Sequence, residues 1–146
     1  MIGCDLGSNT LRIVKIDCQS KARILAFERI VRTAKDLHIT GRIGEQAKEN
    51  IFNALHEASA LFDFKTERCF CVSSAALCFC VTTEAMRVAS NAQEILNEIE
   101  TTFGLTFRII TGKEEAFLTS LAIENALKRE GFDPTIYALF DLGGGS

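Results

Sequence analysis

Apolar and polar residues alternate in three short blocks at the start of the chain. Residues 2–4 form an apolar run, residues 11–16 interleave aliphatic and charged side chains, and residues 24–31 begin and end with aliphatic ones. Such alternation is typical of strands with one buried face. Only short turns separate the blocks, so we predict three consecutive strands that pair as an antiparallel meander.

The spacing of apolar residues then becomes helical. Between Ile51 and Phe62 they recur every three or four positions, and the charged residues can face water: Glu45, Lys48, Glu49 and Glu57. This pattern predicts an amphipathic helix over residues 44–62. The preceding segment, residues 36–44, mixes polarity and contains two glycines, so we predict a loop there.

Further helices and strands are predicted in the second half. Asn91 is suited to cap a helix that ends near Gly104, and residues 107–110 form the next strand. Residues 114–129 begin with acidic and end with basic side chains, which favours a helix. A last apolar strand is predicted over residues 136–142. This order predicts an α/β fold with a mixed sheet and covering helices.

A tandem repeat interrupts the order. CFCVSSAAL at residues 69–77 is followed directly by CFCVTTEAM at residues 78–86, and five of the nine positions are identical. Only one of the two copies can form the strand at this place in the fold. We predict that the second copy occupies it, because TTEAMR continues into a helical segment. The first copy would end the preceding connection, extend a neighbouring strand or form a helical turn.

Composition narrows the class of protein. The chain has 146 residues, 47% hydrophobic and 24% charged, as expected of a soluble globular domain. A net charge of −3 gives no reason to expect a nucleic-acid partner, and the most apolar stretch is too short to span a membrane. The N-terminus lacks the pattern of a signal peptide, so we expect a cytoplasmic protein with reduced cysteines.

Two turns share the sequence Asp-Leu-Gly. DLGSNT, residues 5–10, joins the first two strands, and DLGGGS, residues 141–146, follows the last strand. Glycine lets a phosphate approach the backbone, where N–H groups and nearby polar side chains bind it. The candidate phosphate-binding residues are Gly7, Ser8, Asn9, Thr10, Gly143, Gly144, Gly145 and Ser146.

The first of these turns also predicts a metal. Asp5 would repel a phosphate unless a proton or a divalent cation lay between them, so we expect Mg²⁺. Each turn has a simpler interpretation as well: DLGSNT as a plain hairpin turn, and DLGGGS as a flexible end or linker. The occurrence of both in one chain favours phosphate binding.

Three charged residues are candidates for contact with a substrate. Glu114 and Glu115 begin a predicted helix, where they either complement the helix dipole or supply a general base for water that attacks phosphorus. Arg87, after the second repeat copy, either contacts phosphate or lies on the surface. The basic run after the third strand is either solvated or guides a polyanion; it comprises Arg29, Arg32, Lys35, His38 and Arg42.

The repeat also contains a possible metal-binding pattern. Cys69, Cys71, Cys78 and Cys80 form two CxC pairs, and alternate residues of a strand share a face. Zinc sites more often use CxxC spacing. Since these cysteines lie among Phe and Val, we favour a duplicated core strand over a metal site.

The chain resembles the N-terminal part of the exopolyphosphatase / guanosine pentaphosphate phosphohydrolase (Ppx/GppA) family. The matching segments are IGCDLGSNTLRIVKID, TTEAMRVASNAQEIL, IITGKEEAFLTSLAI and ALFDLGGGS, in family order. The GxEEA segment between the loops distinguishes this family from related actin-like sugar kinases and ATPases.

The resemblance implies a fold and a reaction. The fold would be an actin-like ATPase half: a ribonuclease-H-like domain over residues 1–130, then the first strand and phosphate loop of a truncated second domain over residues 131–146. The reaction would be hydrolysis of a terminal phosphoanhydride in inorganic polyphosphate or guanosine pentaphosphate. The active site would lie in the cleft between the two halves.

The resemblance also implies roles for single residues. Glu115, directly before the alanine of GxEEA, matches the catalytic glutamate, and Arg87 matches an arginine that contacts phosphate. Asp5 and Asp141 match the aspartates near the magnesium and the phosphates.

Two features depart from the family. The repeat adds a second copy before Arg87, and the family motif continues beyond Ser146. We therefore expect this chain alone not to turn over substrate. The strand over residues 136–142 would need a partner, either a second copy in a homodimer or the first half packed in a way foreign to the family.

Other classes of function stay open. One is an actin-like kinase or ATPase half that binds ATP, in which the base would face a sugar hydroxyl rather than water. Another is a non-enzymatic regulator that binds (p)ppGpp, which calorimetry with guanosine tetraphosphate and polyphosphate would distinguish. A third is a metal module on the CxC pairs, which zinc analysis would test.

Overall fold

The computed structural model describes residues 1–65, 78–135, 137 and 138. Within them, three consecutive strands are followed by helices with two further strands between them, which is an α/β arrangement as predicted. The elements are β1 (Ile2–Leu6), β2 (Thr10–Ile16), β3 (Arg23–Ile30), α1 (Leu37–Thr40), α2 (Glu45–Ser59), β4 (Cys78–Thr82), α3 (Glu84–Val88), α4 (Ala92–Phe103), β5 (Phe107–Ile109) and α5 (Gly112–Arg129).

The described strands form one mixed sheet in the order β3-β2-β1-β4-β5. The antiparallel meander of β1, β2 and β3 is confirmed, with Asp5 opposite Arg12 and Leu6 opposite Leu11. β4 runs parallel to β1, and β5 runs parallel to β4. The second repeat copy thus supplies the strand, as predicted, while the first copy at residues 69–77 lies outside the described residues.

Alternate residues of β1 face opposite sides of the sheet. Ile2, Cys4 and Leu6 are buried, whereas Gly3 and Asp5 are half-buried on the other face. Core packing therefore fixes the strand, while the carboxylate of Asp5 lies on the face away from the core. Helices α2 and α4 complete the core with residues at helical spacing: Ala47, Ile51, Ala54, Leu55 and Ala58, then Ala92, Ile95, Leu96, Ile99 and Phe103.

The loop predicted over residues 36–44 contains one helical turn, so that prediction is wrong at α1. Leu37 is buried there, the Thr40 hydroxyl donates to the Asp36 carbonyl (3.0 Å), and Gly41 ends the turn with a φ of 66°. A single turn with one buried side chain offers no periodicity to recognise. The predicted helix over residues 44–62 is confirmed as α2, which ends at Ser59.

Asn91 precedes α4 as predicted, but its side chain does not cap that helix. The side-chain oxygen accepts from the N–H of Ile43, and the side-chain NH₂ donates to the carbonyl of Ile43, both at 2.9 Å. Both bonds are buried, so the amide serves as the backbone partner of residue 43 and joins the start of α2 to the start of α4. The sequence pattern cannot reveal a partner 48 residues away.

Helix α5 packs less closely than α2 and α4. It begins at Gly112, two residues before the predicted start, and among its described side chains none is buried. Phe117, Leu118 and Leu121 are exposed. The helix ends at Arg129, as predicted, and Gly131 follows with a φ of 81°.

The chain folds back on α5 after residue 131. The hydroxyl of Tyr137 donates to the carboxylate of Glu124 (3.1 Å) and lies 2.9 Å from the hydroxyl of Ser120. Residues 137 and 138 are not in a strand, and the rest of the strand predicted over residues 136–142 lies outside the described residues. Among the described helices, none has both the length and the apolar character required to cross a membrane.

Candidate functional site

The ends of three parallel strands lie along one edge of the sheet. β1, β4 and β5 run in the same direction, so the segments that follow them share this edge. The hydroxyl of Thr82 donates to the carbonyl of Leu6 (2.7 Å), and the N–H of Ile110 donates to the carbonyl of Thr82 (2.9 Å). We call the three segments the loop edge: residues 7–10, 83–87 and 110–115.

Gly7 opens the DLGSNT turn without a left-handed backbone. Its N–H donates to the carbonyl of Thr10 (2.9 Å), and its φ lies outside the positive range. The turn therefore does not depend on the positive φ that glycine tolerates. A Cβ at Gly7 would lie 3.4 Å from the Thr10 oxygen, so a side chain would fit tightly rather than clash.

The carbonyl groups at the tip of this turn are occupied by the segment after β3. The carbonyl of Asn9 accepts from the N–H groups of Val31 (2.8 Å) and Arg32 (3.0 Å), and the carbonyl of Ser8 accepts from the N–H of Ala34 (2.8 Å). These three bonds hold the tip in one orientation. We call residues 31–34 the bracing segment.

The donors at the tip have no such partners. In the part of the chain that the structure describes, the backbone N–H groups of Ser8 and Asn9 donate to no protein acceptor. The side chains of Ser8, Asn9 and Thr10 are likewise without hydrogen bonds there. Unused N–H and hydroxyl donors on a rigid turn are what an anion requires.

Asp5 lies just before this turn on the face of the sheet away from the core. Its neighbours across the sheet are Arg12 on β2 and Val81 on β4. Burial raises the pKa of the Asp5 carboxyl above its ordinary value, and the positive charge of Arg12 acts in the opposite direction. Arg12 also pairs with Glu28 (3.3 Å), so its charge is shared between two carboxylates.

Arg87 lies on the loop edge in α3. Its Nη1 donates to the carbonyl of Ile110 (2.7 Å), and its backbone N–H donates to the carbonyl of Thr83 (3.0 Å). The first bond orients the guanidinium towards the start of α5 and leaves its other N–H groups available. The side chain is exposed, so a phosphate can reach it.

The two glutamates at the start of α5 differ in their surroundings. The Glu114 carboxylate accepts from the N–H and the hydroxyl of Thr111 (2.8 and 2.9 Å), and Arg108 pairs with it at 2.8 Å. These bonds lower the pKa of Glu114, the largest effect coming from the Thr111 N–H. Together with the Thr111 hydroxyl, which accepts from the Glu114 N–H, they form a capping box.

Glu115 has no part in that capping box. It is half-buried in the first turn of α5, and its backbone N–H donates to the carbonyl of Thr111 (2.9 Å). Glu114 therefore accounts for the helix cap, and the cap does not use the carboxylate of Glu115. The sequence alone allowed either residue to complement the helix dipole.

The carboxylate of Asp5 suits a magnesium ion whose other ligands would include phosphate oxygens. Among the described residues, no group of three or more His, Cys, Asp or Glu side chains is arranged to hold a metal. Mg²⁺, however, is commonly held by one or two carboxylates, with substrate phosphates and water as the other ligands. Asp5 fits this pattern, because it lies beside N–H and hydroxyl groups that could bind a phosphate.

The predicted site residues of the first turn, together with Arg87 and Glu115, lie at one edge of the sheet. Asp5, the DLGSNT turn, Arg87 and Glu115 all lie on or beside the loop edge. The predicted residues of the second turn lie outside the described residues: Asp141, Gly143, Gly144, Gly145 and Ser146. Sequence reasoning missed the bracing segment, because backbone bonds to Ser8 and Asn9 leave no residue-specific signal.

Comparisons with known proteins agree on one family. The model of the Ppx/GppA phosphatase family matches residues 12–146, a match that begins after the DLGSNT turn. An uncharacterised protein of Streptomyces coelicolor is 28% identical over 144 residues, or 97% of this chain and 40% of that protein. Exopolyphosphatase 1 of Mycobacterium tuberculosis is 22% identical over 145 residues, or 97% of this chain and 39% of that enzyme.

Solved structures show the same likeness. A crystal structure of the Aquifex aeolicus Ppx/GppA family member has a TM-score of 0.70 and 32% identity, covering 87% of this chain and 40% of that one. The predicted fold class, an actin-like ATPase half with a mixed sheet and covering helices, is confirmed by this likeness. The chain spans about 40% of the length of these relatives.

Proposed function

Because this chain belongs to the Ppx/GppA phosphatase family, we propose that its loop edge is one side of a phosphohydrolase active site. The substrate class is a chain of phosphoanhydrides, inorganic polyphosphate or guanosine pentaphosphate, and the bond broken is the terminal anhydride. One observation carries the proposal: the DLGSNT turn is held by the bracing segment while the donors of Ser8 and Asn9 stay unused.

The turn would bind the terminal phosphates through backbone and side-chain donors. Its orientation is fixed before the ligand arrives, so little conformational entropy is lost on binding. Arg87 would add a charge-assisted bond from the other end of the loop edge, with its guanidinium oriented by the carbonyl of Ile110. These contacts stabilise the charge that spreads over the phosphoryl oxygens in the transition state.

Glu115 would act as the general base. It accepts a proton from water as the water oxygen forms a bond to the terminal phosphorus and the anhydride P–O bond breaks. The products are inorganic phosphate and a substrate one phosphate shorter. Glu114 cannot easily take this role, because the capping box and Arg108 stabilise its charged form and occupy both carboxylate oxygens.

Asp5 would hold Mg²⁺ at the phosphates. When bound, the ion neutralises phosphate charge and permits a carboxylate to lie nearby. Burial of Asp5 raises its pKa, so an adjacent cation would favour the charged form that the site needs. Asp141 would contribute in the same way from the second turn.

The test compares two neighbouring glutamates. Phosphate release from long-chain polyphosphate and from guanosine pentaphosphate is measured on the native polypeptide that carries this chain, with and without Glu115→Gln. Removing a general base should lower kcat about 10²- to 10⁴-fold while KM changes little.

Glu114→Gln is the matched control. It removes one charge at the adjacent position and weakens the cap of α5, but it should retain most of the activity. Equal losses in both variants would contradict the role of Glu115. Release of phosphate from ATP, but from neither of the two proposed substrates, would favour the kinase or ATPase alternative.

A further inference from the structure

A cleft borders the bracing segment, which contributes Arg32 to its lining. It has a volume of about 340 Å³ and lies between the end of β3 and helix α2. Its polar lining comprises Arg29, Arg32, Asn50, Asn53 and Glu57. No aromatic ring lines it among the described residues, so it offers no surface on which a nucleobase would stack.

The charges in this cleft do not cancel. Arg29 donates from Nε and Nη2 to the Glu57 carboxylate, both at 2.8 Å, and its guanidinium lies 4.8 Å from the centre of the Phe27 ring. That pair is neutral and held in place. The guanidinium of Arg32 and the side-chain amide of Asn53 have no hydrogen-bond or ion-pair partner in the described residues. One cation and one neutral donor are left for a ligand.

The backbone of Arg32 is hydrogen-bonded to the DLGSNT turn. The N–H of Arg32 donates to the carbonyl of Asn9, and Asn50 donates to the carbonyl of Val31 at 3.3 Å. Arg32 has a φ of 54°, an uncommon conformation for a residue with a side chain. The bracing segment thus presents Arg32 to the cleft while it holds the turn, so the two sets of donors are neighbours.

We propose that this cleft is a second phosphate-binding subsite, in which Arg32 and Asn53 bind an internal phosphate of a polyphosphate chain whose end lies on the DLGSNT turn. The inference rests on the proposed function and deepens it, because a second subsite without a stacking surface favours long-chain inorganic polyphosphate over guanosine pentaphosphate. A chain held at two points gains affinity from both.

The test is binding of long-chain polyphosphate and of tripolyphosphate to this chain, measured for three variants. Arg32→Asn removes the cation and keeps a residue that tolerates positive φ. Lys21→Asn is the matched control: Lys21 is also an exposed cation, with a φ of 59°, at the opposite end of β3. Asn9→Asp places a negative charge on the turn without changing the size of the side chain.

Arg32→Asn should weaken binding of long-chain polyphosphate about tenfold and reduce its salt dependence, with little effect on tripolyphosphate. Lys21→Asn should change neither. If Arg32→Asn behaves like Lys21→Asn, or weakens both ligands equally, the second subsite is contradicted.

Asn9→Asp reports on the turn itself. It should weaken binding of both ligands if the turn binds phosphate, whatever the outcome at Arg32. If Asn9→Asp has no effect while Arg32→Asn weakens the long chain, the proposed function fails and a polyphosphate subsite at the cleft remains.

Discussion

Asp5 carries a structural cost that would be consistent with the metal-binding role proposed for it. It lies in a strand whose alternate residues form the core, yet its carboxyl is half-buried, with Arg12 as the neighbouring cation among the described residues. Burial without a full complement of partners disfavours the charged form. Residues of this kind are commonly retained where binding needs the charge, at the expense of stability.

Asp5→Asn should therefore stabilise the chain at neutral pH, by about 1 kcal/mol. Because burial raises the folded-state pKa of Asp5, its protonated form favours folding below the ordinary aspartate pKa, and this contribution is lost as pH rises through the folded pKa. The advantage of the variant should thus grow with rising pH and vanish in acid. Urea unfolding at several pH values measures it.

Asp17→Asn is the control of opposite sign. Asp17 accepts from the N–H and hydroxyl of Ser20, and these bonds lower its pKa. Its contribution is present above the ordinary aspartate pKa and lost as pH falls through the folded value, so this variant should be destabilised at neutral pH. A destabilised Asp5→Asn at pH 7 would contradict the account of Asp5.

Single residues also show the limit of the sequence. Glu114 and Glu115 are adjacent acids at a helix start, and composition gives both the same interpretation. The structure assigns the helix cap to Glu114, whose carboxylate binds Thr111 and Arg108. The resemblance to the family implies that Glu115 is the catalytic glutamate. Glu114 is less suited to that role because its carboxylate oxygens already accept hydrogen bonds from Thr111 and Arg108.

Elements with many regular positions could be predicted, whereas those fixed by distant partners could not. The meander, α2 and the choice of the second repeat copy as β4 follow from periodicity and continuity. The single turn α1 is too short to show periodicity, and the role of Asn91 depends on Ile43, which is remote in sequence. The backbone hydrogen bonds of the bracing segment also join residues that are distant in sequence.

Asn91→Ala tests the link between α2 and α4. It removes both bonds to Ile43 and leaves a buried N–H and a buried carbonyl without a protein partner. The free energy of unfolding should fall by about 2–4 kcal/mol. Thermal or urea unfolding of this chain measures the change.

Asn97→Ala is the control on the same helix. Asn97 is exposed, so its replacement should change the free energy of unfolding by less than about 0.5 kcal/mol. If both variants behave alike, the Asn91 amide does not join the two helices as described.

At the scale of the whole molecule, the proposed phosphate binding would depend on local charge. The chain carries a net charge of −3, so long-range attraction does not favour a polyanion. Affinity would come from the turn, Arg87 and the cleft at Arg32, and it should fall as salt rises. The domain boundary near residue 130, the homodimer and the roles of the second turn stay predictions, since they depend on residues outside those described.

The proposed function depends first on phosphate binding by the DLGSNT turn. The most direct measurement is a titration of this chain with Mg²⁺ and tripolyphosphate, followed through the backbone amide signals in ¹H–¹⁵N NMR spectra. The largest shifts should occur at Ser8 and Asn9, whose N–H groups donate to no acceptor among the described residues. Shifts that spare these two amides, or that appear only at sites away from the loop edge, would contradict phosphate binding by the turn.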